Sequence, residues 1–70
     1  MKNLYDVQKL LLKYGTVIYI GDRLSDLELM EEEIRELFHS HLLDAQDFKM
    51  AQLIVRQAMQ LEIEKRKRNE

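Results

Sequence analysis

Apolar residues recur at helical spacing in three stretches of this chain. Leu4, Val7, Leu10, Leu11 and Tyr14 fall on one stripe; Asn3 with Asp6 three residues on supplies a start, and Gly15 a stop. The pattern predicts a first helix over residues 4–14. Tyr5 and Leu12 lie off that stripe, beside Gln8, and form a second apolar face. A second helix is predicted over 26–40. Ser25 and Glu28 make an S-x-x-E capping box, Leu24 and Leu29 are spaced for a staple, and Leu27, Met30, Ile34, Leu37, Phe38 and His41 line one face. Asp44 with Asp47 repeats the start signal, Leu43 and Phe48 being set as its staple. Phe48, Ala51, Ile54, Val55, Ala58, Met59 and Leu61 then give the stripe of a third helix, over 45–65. Its end is expected to project beyond the bundle as a basic tail, residues 65–70.

Thr16 to Ile20 breaks the period. Its β-branched and aromatic run has strong strand propensity, yet no other segment offers a strand to pair with, so it reads as an extended connector before a turn at Gly21-Asp22. Both of its alternating sets, Val17 with Tyr19 and Ile18 with Ile20, are apolar; covering one on the helices leaves the other exposed. The expected fold is all-α: a single three-helix domain over 1–64, packed up-down-up, with this connector between its first two helices.

A 70-residue chain buries only about 60% of the surface its unfolded form exposes, so it is marginally stable without a staple or a partner. There is no cysteine, which removes disulfides and thiolate metal sites. The longest apolar run is far too short to span a bilayer and the N-terminal residues lack a signal-like apolar core, so a cytoplasmic protein is expected. The net charge of −2 hides a segregation: three positive and one negative over residues 1–20, two and nine over 21–48, six and three over 49–70.

The stretch YGTVIYIGDR followed by DLELMEEEIREL, with LLDAQDF ahead of VRQ, resembles the YqgQ-like family of small bacterial proteins over about residues 4–57. The resemblance implies a compact three-helix fold and brings no catalytic residues with it. Relative to that family's pattern, Ile20 replaces a common threonine, and the basic tail lies outside the shared core.

Catalytic and metal chemistry find little footing. Glu28, Glu32 and Glu36 form a solvent-facing row, and with Glu31 and Glu33 they suit the early turns of a helix. His39 and His41 point about 200° apart on a helix and cannot chelate one ion there. Ser25 serves as a cap, Ser40 has no nucleophile elbow, and Gly21-Asp22-Arg23 reads first as turn chemistry, with a small anion site on that loop as the alternative. No enzyme, cofactor, metal or small-molecule substrate is expected.

The strongest functional pattern is on the third helix, where Lys49, Gln52, Arg56, Gln60 and Lys67 share a face continued by Lys65, Arg66 and Arg68. Cations along an edge with aromatic platforms are what single-stranded nucleic acid needs; Tyr5 and Tyr19 are the expected stacking residues, with Tyr14 a further candidate. A helix-turn-helix is disfavoured by the HSHLL turn, which lacks glycine, and by the acidic helix before it. The rival reading is a protein-interaction or regulatory adaptor, homo-oligomeric or with another protein, meeting its partner through Tyr5, Leu12, Val17, Ile18, Tyr19 and Ile20.

Overall fold

The computed structural model describes residues 1–68. It is an all-α bundle of three helices, α1 (Leu4–Lys13), α2 (Arg23–His39) and α3 (Ala45–Arg68), with no strand among the described residues. α2 and α3 make the main pair. They run antiparallel in a register held along the whole of α2: Asp22 meets Arg66 at 2.7 Å, Glu31 meets Arg56 at 2.9 Å, and the rings of Phe38 and Phe48 stack at 4.3 Å.

α1 runs in the same sense as α2, which overturns the up-down-up expectation. The hydroxyl of Tyr14, just past α1, donates to the carbonyl of Leu42 at 3.0 Å, beyond the far end of α2; Gln8, earlier in α1, shares a cleft with Leu27 and Met30, early in α2. The connector must therefore retrace α1, a rise of about 15 Å for ten residues. Five residues cover that distance only when extended, at about 3.3 Å each. This is the structural reason for a β-prone run in an all-α protein.

The core is Val7, Leu11, Leu27, Met30, Ile34, Leu43, Ala51 and Val55, with Leu4, Leu10, Ile18, Leu37, Phe48, Ile54, Ala58 and Met59 packed around it. All three predicted stripes supply it. Leu61 departs from the expectation: it is 68% exposed, off the covered face of α3, which continues through half-buried Glu62 and Ile63.

The caps explain the boundaries. Asn3 and Asp6 form a reciprocal capping box on α1. α1 ends in a Schellman motif, with Gly15 at φ 81° and Thr16 N–H donating to Leu11 O at 2.9 Å. The end of α2 has the same bonds, Leu42 N–H to Leu37 O and His41 N–H to Phe38 O, but the left-handed position holds His41 at φ 63°. α2 begins three residues earlier than expected, because its N-cap is Asp22 rather than Ser25. Ser25 lies inside the first turn, donating its backbone N–H and its hydroxyl to the Asp22 carboxylate at 3.0 and 2.9 Å, so no Ser25–Glu28 box or Leu24–Leu29 staple forms. Asp44 accepts from Asp47 N–H at 2.7 Å, as expected for the start of α3.

Helix α3 continues through Arg68, so Lys65 to Arg68 are its last turn, and the boundary expected after residue 64 falls inside a helix. Asn69 and Glu70, the rest of the expected tail, lie outside the described residues. No described helix is long and apolar enough to cross a membrane.

Candidate functional site

The topology gathers several candidate residues at one end of the bundle. The first turns of α1 and α2 and the last turn of α3 meet there, so Tyr5, Tyr19, Arg23 and Lys65 to Arg68 share that end, with Lys2 and Lys9 beside them. Tyr5 is 63% exposed and Tyr19 86%. The ammonium of Lys9 sits 5.2 Å from the centroid of the Tyr5 ring, a cation–π pair at the i, i+4 spacing of a helix. Tyr19 and Arg23 line a cleft of about 330 Å³, with Gln8 on its wall and Ile18, Leu27 and Met30 as its apolar floor. The carboxylate of Asp26 also lines it, but one oxygen is committed to Ile20 N–H at 2.8 Å.

Arg66 has a structural partner set. It donates to Asp22 at 2.7 Å and to Glu62 at 3.4 Å, tying the last turn of α3 to the cap of α2, so that turn is held against the bundle instead of projecting away from it. The Asp22 carboxyl is held below the usual carboxylate range first by the Ser25 backbone N–H, then by the Ser25 hydroxyl and the Arg66 guanidinium. Lys65, Lys67, Arg68, Arg23, Lys2 and Lys9 have no ion-pair partner among the described residues.

Two expected members do not join this end. Arg56 pairs across the helices with Glu31, which also accepts from Arg35 at 3.1 Å. It faces acidic α2, contrary to an α3 edge directed away from it. Lys49 is exposed but lies sixteen residues before Lys65, about 24 Å along the helix axis. Tyr14 is likewise remote, bonded to Leu42 beside α2's C-terminus.

Of the expected interaction residues, Tyr5, Leu12, Val17, Tyr19 and Ile20 are exposed, whereas Ile18 packs on the core. Sequence reasoning missed Lys9 and Lys2 as members of the site, and offered Arg23 only as part of a loop anion site. The Tyr5–Lys9 spacing was the available signal for the first; the other two needed the topology.

A wider cleft, about 840 Å³, lies at the opposite end, among Lys13, Tyr14, Phe38, His39, His41, Asp44 and Asp47. Asp44 and Asp47 make it unwelcoming to phosphate, and the described residues form no cluster of three or more His, Asp or Glu that could hold a metal ion.

Fold and surface together define a small three-helix protein with a tyrosine-bearing, cation-rich end. The YqgQ-like family matches residues 1–65, and the chain is 33% identical over 60 residues to the uncharacterized protein YqgQ of Bacillus subtilis (strain 168), covering 86% of this chain and 84% of that protein. The chain belongs to the YqgQ-like family. The cations Arg66 to Arg68 follow the matched region.

Proposed function

We propose that this protein is a cytoplasmic, non-catalytic module that binds single-stranded nucleic acid at the end where α1 and α2 begin and α3 finishes. The observation that carries the reading is the cleft shared by Tyr19 and Arg23, an aromatic ring and a guanidinium over an apolar floor, at the same end as Lys65, Lys67 and Arg68. Phosphates are attracted by the cations and bases stack on Tyr19 and on the face of Tyr5 not covered by Lys9; each stacked base contributes about 1–3 kcal/mol. The reading rests on a smaller set than the sequence pattern suggested: Arg56 and Arg66 are engaged within the fold, and Lys49 lies too far away. Because the net charge is −2, binding is local and weak.

The test is fluorescence anisotropy with short labelled single-stranded oligonucleotides. Binding at low salt that weakens steeply as salt rises, and that falls at least tenfold in Lys65→Ala/Lys67→Ala/Arg68→Ala or in Tyr19→Ala, supports the proposal. Absence of binding at low salt, or equal binding by both variants, overturns it.

A further inference from the structure

The backbone of the connector is more specific than its side chains. Thr16 and Ile18 are half-buried while Val17 and Tyr19 are exposed, the alternation of an extended strand. In such a strand the N–H and C=O of one residue point to the same edge, and neighbouring residues alternate between edges. The edge of residues 16, 18 and 20 is occupied at both ends: Thr16 N–H donates to Leu11 O and Ile20 N–H to Asp26 Oδ1. On the other edge, Val17 and Tyr19 make no backbone hydrogen bond with any described residue.

We infer that this edge is a docking strand for a second copy of the chain, which pairs with it antiparallel about Ile18. That register sets Val17 opposite Tyr19 of the partner copy, and the two residues exchange both of their hydrogen bonds. The two-fold axis repeats the exchange, so every N–H and C=O left open on the edge is satisfied. It also places each Val17 side chain beside a tyrosine, a favourable cross-strand combination.

The available area sets the strength. Tyr5, Leu12, Val17, Tyr19 and Ile20, at 58 to 86% exposure, together present on the order of 600 Å² per copy, the upper end of what a monomer leaves exposed. Pairing covers part of it, less than the roughly 800 Å² per partner of a stable complex, so the dimer is weak, micromolar or above. The tyrosine rings stay on the outward face, so the inference stands independently of nucleic-acid binding.

Sedimentation equilibrium of the full chain without oligonucleotide, from low micromolar to near-millimolar concentration, combined with amide hydrogen exchange by NMR, tests this. The expected result is a rise toward twice the monomer mass, with exchange at Val17 and Tyr19, but not Ile18, slowing as concentration rises. Tyr19→Pro, which removes one edge donor, and Val17→Lys, which leaves the backbone able to fold as before, should each weaken dimerisation at least tenfold with an unchanged helical circular dichroism spectrum. A strict monomer at the highest concentration, or a dimer whose formation leaves Val17 and Tyr19 exchange unchanged, overturns it. So does a dimer that both variants form as well as the parent.

Discussion

The Asp22 carboxylate caps α2 through Ser25 N–H at 3.0 Å and also accepts the Arg66 guanidinium at 2.7 Å, forty-four residues away in the chain. One side chain thus starts one helix and anchors the end of another. Asp22→Ala should lower the stability measurably through the lost cap, with little added by the exposed ion pair. Ser25→Ala should cost less, since the cap's backbone bond survives. Urea unfolding of the two variants measures the difference, and a larger loss for Ser25→Ala would restore it as the cap.

Asp22 also links stability to pH, together with Asp6, whose carboxyl is lowered chiefly by the Lys2 backbone N–H. A carboxylate with a depressed folded-state pKa contributes stability above its unfolded value, about 3.9, and that contribution is lost as pH falls through the folded value. Unfolding free energy should therefore decline below about pH 4, and Asp22→Asn, which keeps a capping oxygen, should make the decline shallower. Denaturant melts across the acid range would show an unaltered slope if Asp22 were not a source of it.

His41 occupies a left-handed position, φ 63°, that glycine holds at the end of α1. His41→Gly should stabilise the protein by about 1 kcal/mol, the steric cost of a Cβ in that conformation. A drop in melting temperature would mean that the His41 side chain makes a contribution exceeding that cost.

Ile34 is fully buried between the helices. Ile34→Ala should cost about 2–5 kcal/mol, a large fraction of the stability available to so small a domain. Leu61→Ala should cost far less, because Leu61 is exposed despite its apparent place on the α3 stripe. Thermal melts that rank the two in the opposite order would displace the core described above.

The helices were legible because core residues such as Val7, Leu27, Ile34 and Val55 recur at helical spacing between caps of strong chemistry, Asn3 and Asp44 among them. The start of α2 was less so: Asp22 and Ser25 are both good caps three residues apart, and S-x-x-E fits the interior of a first turn as well as its boundary. The same-sense packing of α1 and α2 was implicit in the extended connector, whose five residues span a ten-residue helix, but the connector's length was not weighed against that of α1. Pairing of Arg56 with Glu31 and Arg66 with Asp22 depends on the α2–α3 register, which periodicity does not encode. The exposed tyrosines and the basic last turn were visible in the chain; their meeting at one end required the topology.

That meeting is the centre of the functional account, and a backbone amide NMR titration with a short single-stranded oligonucleotide at low salt tests it most directly. Shift changes should cluster in the first turn of α1, in residues 19–23 and in the last turn of α3, with Lys49 and the Phe38–Phe48 end unmoved. No shifts at all, or shifts concentrated around Lys49, would contradict it.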